Sequence, residues 1–457
     1  MSRKNIWVSA WIFALVLKTI LAISLPFSND EAYYWVWGHH LQWSYFDHPP
    51  MVAWLFWLGS WMENFGNAAR LPGVWLGHLT LFVWYKILQP YLTDKTRVYW
   101  LGFLLLSPFM GIGSLVITPD VPLLFFWSLS LLLLLRLLDK RTPGLYLLFG
   151  AALGLGFCSK YMIVLFVPIA FAWLLWSGRW REIRWPYVAL TIIAGLIFSA
   201  PVLYWNWKHD WASFAFQLNH GLGEEKRKLN WPIEYLGGQI LLIFPPLVWL
   251  ALRRRREPRA PSFLRFFGWL PLVFFLYTSF RARVEANWPI MGHPALISLA
   301  FLNAIDRGVS SGPFKWLQST AIIWGTALIL VVTELVHPWL PINPKDLKTS
   351  EFTRFDVFLP EAAKDPQMLM GSYQMAAAVS YKLRQQHYKL AGMNRRDFYD
   401  FVPQSRPNSD SFLLGAETNQ ALPEWIEKNG YETRVVQRLT DEFQILEVSR
   451  HAQDIDH

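Results

Sequence analysis

The stretch VPLLFFWSLSLLLLLRLL (121–138) decides the fold class, because it is apolar except for two serines and one arginine near its end. A helix of about 20 mostly apolar residues is long enough to cross the hydrocarbon core of a bilayer. Within lipid, every backbone N–H and C=O of such a segment must be satisfied internally, which favours a helix. We therefore predict a membrane-spanning helix here.

The rest of the chain has the same apolar character. Of its 457 residues, 53% are hydrophobic and only 16% are charged, whereas about 25% of the residues of a soluble domain are charged. This composition argues against the two or three soluble domains that the length alone suggests. We predict a polytopic, mainly α-helical membrane bundle of about eleven spans: 6–26, 69–88, 98–117, 121–138, 143–158, 161–177, 186–205, 236–252, 263–280, 288–305 and 316–335.

The charge of the chain predicts its orientation in the membrane. The net charge of +9 comes from basic clusters between apolar runs, which points to membrane lipids as the partner and not to nucleic acid. The excess of lysine and arginine in alternate loops predicts a cytoplasmic N-terminus and, with eleven spans, an external C-terminus. The first span is too long for a signal peptide and contains Lys18, so we expect it to remain uncleaved. A single cysteine, Cys158, excludes an intrachain disulfide and a cysteine-based metal site.

Two polar regions interrupt this pattern. The first external loop (27–68) ends in the apolar segment 49–62, which is too short to span and predicts an interfacial helix rich in tryptophan. After residue 336 charged residues return, so we predict a transmembrane domain, 1–335, and a small soluble α/β external domain, 336–457. Within the second domain we predict helices over 373–386 and 423–430 and strands over 412–417 and 442–448.

Three acidic residues are candidates for catalysis. Asp30 and Glu31 follow the first span among aromatic residues, where partial desolvation would raise the pKa of a carboxyl group and suit it to act as a general base. Asp120 begins the fourth span and would be a second carboxylate in the same cavity. For each the alternative is structural, because Asn29, Asp30 or Asp120 would also cap the start of a helix or interact with its dipole.

A group of histidines in the first loop raises the question of a metal. His39, His40, Asp47 and His48 include imidazole and carboxylate groups that bind zinc and other divalent ions. Their spacing matches no established metal motif, so solvated or hydrogen-bonded histidines are the more common explanation. We name no metal site and no certain cofactor, and a divalent metal stays an option.

Several cations lie on the predicted external side, against the general trend. They are Lys160 between two spans, Arg281 and Arg283 before the span at 288–305, and the basic run 226–228. Snorkelling to lipid headgroups explains each of them separately. Together they would also suit a phosphate at the outer leaflet, which arginine binds bidentately, and would stabilise a prenyl-phosphate leaving group.

Five short motifs together are similar to one family. NDEAYYW (29–35), YFDHPP (45–50), TPDVPLL (118–124), GLGFCSKY (154–161) and EANWP (285–289) resemble the bacterial branch of the protein O-mannosyltransferase-like family, within the C-type glycosyltransferases. The lipid A aminoarabinose transferase is a more distant relative. The resemblance covers roughly residues 1–335 and implies a multispan bundle with interfacial helices in its first external loop.

The resemblance also implies an activity and a site. Such enzymes transfer a sugar from a polyprenyl-phosphate donor outside the cytoplasm, here to an envelope lipid such as lipid A, a glycan or a protein hydroxyl at the bacterial inner membrane. It implies Asp30, with Glu31 and Asp120, as catalytic residues. The residues expected to bind the donor phosphate are His48, Lys160, Arg281 and Arg283. His48 stands where the aminoarabinose branch has a lysine, so the other three could supply the charge instead. The residues expected to line the substrate cavity are Tyr33, Tyr34, Asp47, Glu285 and Asn287.

Two other classes of protein remain open at this point. A transporter or flippase for lipid-linked sugars would also be polytopic, but it predicts inverted repeats and polar sites near the midplane. We find no internal repeat, and the candidate residues gather at one end of the predicted bundle. A non-catalytic scaffold would use the segment 336–457 for binding.

Overall fold

The computed structural model describes residues 3–222, 228, 230–253, 260–306, 308–337, 339–340, 351–407 and 409–450, and the fold is mainly helical within them. Fifteen α-helices precede residue 337: α1 Arg3–Ser24, α2 Asn29–His39, α3 Met51–Gly59, α4 Leu71–Leu88, α5 Asp94–Leu106, α6 Asp120–Lys140, α7 Pro143–Ser159, α8 Phe166–Ser177, α9 Trp185–Lys208, α10 Ala212–Leu222, α11 Trp231–Ile243, α12 Pro245–Leu252, α13 Phe263–Ser279, α14 His293–Ile305 and α15 Gly312–Val336. The basic run at 226–228 lies largely outside the described residues.

The predicted spans coincide with these helices, but fewer of the helices are long enough to cross a bilayer. Each of the eleven predicted spans overlaps one helix or, for 236–252, the pair α11 and α12. Within the described residues, α1, α6, α9 and α15 are long and apolar enough to span, and a fifth span results if α11 and α12 count as one. The mainly helical membrane fold is thus confirmed, whereas the number of eleven spans is not.

Proline accounts for two departures from the predicted spans. Helix α5 ends at Leu106, well before residue 117, because Ser107 takes an extended conformation in front of Pro108. Helices α11 and α12 meet at an angle of 90°. The bend falls at Phe244, which has a positive φ of 72°, and Pro245 and Pro246 follow it and cannot donate backbone hydrogen bonds to the preceding turn.

Helix α6, which contains the opening stretch, lies in the core of the bundle. It packs against α4 and α7. Its Ser128 is buried, and the Ser128 hydroxyl accepts a hydrogen bond of 2.8 Å from the indole N–H of Trp84. Helices α7 and α9 pack so closely that a Cβ at Gly150 would lie 2.2 Å from the carbonyl oxygen of Thr191, so glycine is required there.

Two short helices form the loop between α1 and α4. Helix α2 begins with a capping box, in which the Ser28 side chain accepts from the Glu31 N–H and the Glu31 carboxylate accepts from the Ser28 N–H. Helix α3, with a 3₁₀ turn at Ser60–Met62, coincides with the predicted interfacial helix. It buries one side, while Trp57 and Trp61 are exposed, as an interfacial helix requires.

The segment after residue 350 combines three helices with a four-stranded sheet. The helices are α16 Leu359–Lys364, α17 Tyr373–Leu383 and α18 Glu424–Lys428, and the strands are β1 Leu369–Met370, β2 Ser411–Glu417, β3 Tyr431–Arg438 and β4 Phe443–Arg450. The strand order is β1-β2-β4-β3, with β1 parallel to β2 and the other pairs antiparallel. The predicted helices and strands of this segment coincide with α17, α18, β2 and β4, whereas β1 and β3 are additional.

Helix α17 packs on α2 and joins the C-terminal segment to the first loop. The rings of Phe27 and Tyr381 stack in parallel with centroids 4.0 Å apart, and the Tyr381 hydroxyl donates to the Asn67 side chain. One hydrophobic core extends across both regions. The division at residue 335 stays a prediction, but the two regions are not separate in their packing.

Candidate active site

Three predicted carboxylates lie near Tyr34, a buried residue of α2. Burial raises the pKa of Tyr34 well above its usual value, and the negative charges of Asp30, Asp47 and Asp120 act in the same direction. Charges act on a group in this way only when they lie close to it. Residues from three separate motifs therefore meet in one place, together with Tyr373 from α17.

Asp30 is the most open of these carboxylates. It lies in the first turn of α2 and is exposed. Ser28 and Glu31 form the capping box, so the structure assigns the N-cap to Ser28 and not to Asn29 or Asp30. Burial, and then the charge of Asp30, raises the pKa of Tyr373 to about 12. Asp30 thus lies near two tyrosine side chains, those of Tyr34 and Tyr373.

Glu31 has a different environment, although it is adjacent in sequence. Its side chain is completely buried and forms an ion pair of 2.9 Å with Arg70. Its other oxygen accepts from the backbone N–H of Ile117 at 2.9 Å. Burial raises the pKa of Glu31, and Arg70 opposes that shift. These contacts tie α2 to the start of α4 and to the loop before α6, and the catalytic role of Glu31 stays a prediction.

Asp120, Lys160 and Asn287 form one connected group. The Lys160 Nζ lies 2.7 Å from Asp120 Oδ1, and the Asn287 Nδ2 donates to Asp120 Oδ2 at 2.7 Å. Asp120 is in the first turn of α6, Lys160 follows the last residue of α7, and Asn287 precedes α14. The group borders a cavity of about 200 Å³ that Thr118 and Ser114 also line. Lys160 therefore neutralises Asp120 at the edge of an open space.

Asp47 is held by a residue that the motifs did not reveal. Its buried carboxylate accepts from the Tyr33 hydroxyl at 2.7 Å and pairs with Arg395 at 2.8 Å. The Tyr33 hydroxyl in turn accepts from the backbone N–H of Phe398 at 2.9 Å. Burial raises the pKa of Asp47, and the charge of Arg395 is the largest opposing influence.

The remaining predicted phosphate ligands lie nearer the surface, as does Glu285, which was predicted to line the substrate cavity. Arg281, Arg283 and Glu285 are exposed. The Arg281 guanidinium donates to the Tyr277 hydroxyl at 2.6 Å and lies over the Tyr277 ring. His48 is half-buried, with its ring centroid 6.2 Å from that of Tyr34. The structure therefore brings His48 into the site and leaves both arginines at its margin.

His39 and His40 of the first loop contact other side chains of the protein. The His39 Nε2 lies 3.3 Å from Glu63, and the His40 Nε2 lies 3.2 Å from Gln386. Among the residues that the structure describes, no three His, Cys, Asp or Glu side chains are grouped closely enough to hold a metal ion. A divalent metal has no ligand set among them.

An apolar groove runs along α7, α8 and α9. Its volume is about 690 Å³, and its lining is almost entirely aliphatic and aromatic, including Phe149, Leu153, Phe171 and Leu196. At one end it reaches Phe157 and Ile163, which lie on either side of Lys160 in the sequence. The groove therefore includes residues three positions before and three positions after Lys160 in the sequence.

The fold, a helical membrane bundle with short helices in its first loop, is similar to that of solved membrane proteins. The fold is shown by the crystal structure of ArnT from Cupriavidus metallidurans in the apo state, with a TM-score of 0.66 at 16% identity, covering 98% of each chain. The crystal structure of the same ArnT bound to undecaprenyl phosphate gives a TM-score of 0.64 at 15% identity, covering 96% of this chain and 98% of that one.

Sequence comparison gives the same result. Residues 47–205 match the family dolichyl-phosphate-mannose-protein mannosyltransferase. The chain is 25% identical to the lipid A galacturonosyltransferase RgtD of Rhizobium johnstonii, over 80% of this chain and 79% of the relative. It is 23% identical to an undecaprenyl phosphate-alpha-4-amino-4-deoxy-L-arabinose arabinosyl transferase of Erwinia tasmaniensis, over 67% of this chain and 58% of that relative. The resemblance that the motifs predicted is confirmed.

Sequence reasoning missed Arg70, Tyr373 and Arg395. Arg70 belongs to none of the five motifs, although its partner Glu31 was predicted as an acidic residue of the first loop. Tyr373 and Arg395 belong to the C-terminal segment, which carries no family motif. For Arg395 the signal in the sequence was indirect: a carboxylate such as that of Asp47, if buried, needs a cation beside it.

Proposed function

We propose that this protein is a membrane glycosyltransferase that moves a sugar from a polyprenyl-phosphate donor to a hydroxyl of a lipid acceptor of the lipid A type. The proximity of Asp30, Asp47 and Asp120 to Tyr34, with Lys160 paired to Asp120 and an apolar groove along α7–α9, carries the proposal. The names of RgtD and the arabinosyl transferase, and the undecaprenyl phosphate bound to ArnT, support the donor and acceptor classes.

The groove and the cations suit the two parts of such a donor. An isoprenoid chain is apolar and fits the lining of the groove along α7–α9. The phosphate would then lie near Lys160 and His48, with Arg281 and Arg283 at the margin. A fixed cation next to the phosphate stabilises the negative charge that the phosphate gains as the sugar leaves.

Asp30 is the carboxylate best suited to act as the base. Asp47 and Asp120 are buried, whereas Asp30 is exposed and accessible to an acceptor. In the proposed step Asp30 takes the proton of the acceptor hydroxyl, and that oxygen forms a bond to the anomeric carbon. The bond from this carbon to the phosphate oxygen breaks, its electron pair stays on the phosphate, and the configuration inverts.

The first test is Asp30→Asn in the full-length protein, reconstituted in lipid with a polyprenyl-phosphate sugar and lipid A. Since general base catalysis contributes about 10²–10⁴-fold, we expect at least a hundredfold loss of turnover, measured by mass spectrometry of the lipid product. Asp94→Asn is the matched control, because Asp94 begins α5 and pairs with Arg97 outside the site; it should keep wild-type turnover. Normal turnover by Asp30→Asn would overturn the assignment of the base.

The same vesicles separate the proposal from the transporter class. If the labelled donor crosses the bilayer without an acceptor, and lipid A gains no sugar in its presence, the protein is a transporter. The product mass also identifies the sugar, and a glycan or protein product in place of lipid A would correct the acceptor class.

A further inference from the structure

The C-terminal segment contributes part of the wall of the site. Arg395 lies with its guanidinium carbon 4.7 Å from the centre of the Tyr373 ring, and its Nη1 is 2.8 Å from Asp47. Its side chain is 40% exposed, whereas that of Asp47 is 4% exposed. Arg395 therefore contacts the buried carboxylate of Asp47 while part of its own side chain is exposed to solvent.

A buried cluster fixes the backbone that carries Arg395. The Nζ of Lys389 donates to Asp397 at 2.7 Å, to Asp400 at 2.8 Å and to the carbonyl oxygen of Arg395 at 2.9 Å. The side chains of Lys389 and Asp397 are completely buried. A buried and fully paired cluster of this kind holds a segment in one arrangement, so the position of Arg395 is determined by its own segment.

We propose that Arg395 is a positioning residue of the transfer site, which holds Asp47 and, through Asp47, the Tyr33 side chain of α2. This inference rests on the proposed function and adds to it. It makes the segment after residue 350 a part of the site and not an accessory domain.

The physical basis is the cost of a buried carboxylate. Among the residues that the structure describes, Tyr33 and Arg395 contact the Asp47 carboxylate, and of these two Arg395 carries the charge. An isolated buried carboxylate binds a proton or moves toward water. Without Arg395, Asp47 would be protonated at a higher pH and its hydrogen bond with Tyr33 would change.

Other titratable groups near Asp47 also influence the pKa of its carboxyl group or are influenced by its charge. Lys389 lowers the pKa of Asp47, and Asp47 in turn acts on Asp397 and on three tyrosines. The groups that face Asp47 are Tyr33 and Tyr34 of α2, Tyr373 of α17, and Lys389, Arg395 and Asp397 of the segment between α17 and β2. The substitution of Arg395 removes none of these other groups.

The experiment measures the pH profile of kcat/KM for Arg395→Met and Arg395→Lys in the full-length protein. Since small misplacements in a site cost up to about a hundredfold, we expect Arg395→Met to lose about tenfold or more at neutral pH. The acid limb of its profile should move to higher pH by about one unit or more, and Arg395→Lys should restore part of both. Arg354→Met, an exposed arginine of the same segment, is the control and should match wild type.

A double variant separates positioning from direct contact with substrate. If Arg395 acts through Asp47, then adding Arg395→Met to Asp47→Asn costs no further activity. Losses that multiply would mean that Arg395 binds the substrate itself, and would overturn the positioning role. If Arg395→Met does not fold, the comparison of Arg395→Lys with wild type tests the positioning role. Arg395→Lys keeps the positive charge but replaces the planar guanidinium, with its several N–H donors, by a single ammonium group.

The two proposals fail in different ways. If the wild-type protein transfers no sugar, or Asp30→Asn is as active as wild type, the proposed function is wrong. If wild type is active, Asp30→Asn is inactive, and both Arg395 variants keep wild-type kcat/KM and pH profile, only the role of Arg395 is wrong.

Discussion

The pairs Glu31–Arg70 and Asp120–Lys160 look equivalent in distance but differ in what surrounds them. Each acid lies in the first turn of a helix, and each contacts a cation of another element, at 2.9 Å and 2.7 Å. The Glu31 pair is completely buried and also binds backbone groups. The Asp120 pair borders a cavity and retains some exposure.

This difference shows that a buried ion pair does not by itself mark an active site. A carboxylate whose oxygens are all occupied by protein donors has none left for a substrate, so we expect Glu31 to serve the packing of α2 against its neighbours. A pair beside an open space can exchange a contact within the protein for one with a ligand. The opening next to the pair, and not the pairing, distinguishes the two roles.

Lys160→Met should have the largest effect on activity in this comparison. It removes the buried cation that we place beside the donor phosphate, and removing one stabilising group of that kind costs about 10²–10³-fold in kcat. The measurement is kcat of the purified, lipid-reconstituted variant, normalised to folded protein by size-exclusion chromatography. Turnover close to wild type would mean that the Asp120 pair is structural, like that of Glu31.

Arg70→Met should reduce stability instead of chemistry. Breaking a buried ion pair by removing one partner costs about 3–5 kcal/mol, and Arg70 also donates to the carbonyl oxygens of Leu25 and Pro26. We expect a lower thermal midpoint in detergent, with turnover per folded molecule like that of wild type. A specific loss of kcat in folded protein would place Glu31 in the chemistry after all, as the sequence suggested.

The sequence predicted the parts of this arrangement that are local. Long apolar runs such as 121–138 need no partner to be recognised, and the predicted residues Asp30, Tyr34, Asp47, Asp120, Lys160 and Asn287 come from motifs that the structure brings together. The bend at Phe244 falls inside the predicted span 236–252 and was not predicted, although two prolines follow it.

Contacts between distant segments could not be predicted in the same way. Arg395 reaches Asp47 only because α17 packs on α2, and a lone arginine pair at 395–396 has no pattern that predicts this. Likewise, two acidic residues in one helical turn are equivalent in sequence. Only the location of Arg70 and of the backbone at Ile117 separates Glu31 from Asp30.

The smallest effect is expected from Arg281 and Arg283, which test the outer limit of the site. Both are exposed, and exposed charges contribute about 0.2–1 kcal/mol to an interaction, which corresponds to less than about sixfold for each. Replacing both by methionine should therefore raise KM for the donor modestly and leave kcat unchanged. Since exposed charges are screened over about 10 Å at 0.1 M salt, the difference from wild type should shrink as salt is added. A large fall in kcat that persists at high salt would mean that the loop before α14 closes over the donor phosphate, so that these arginines act like Lys160.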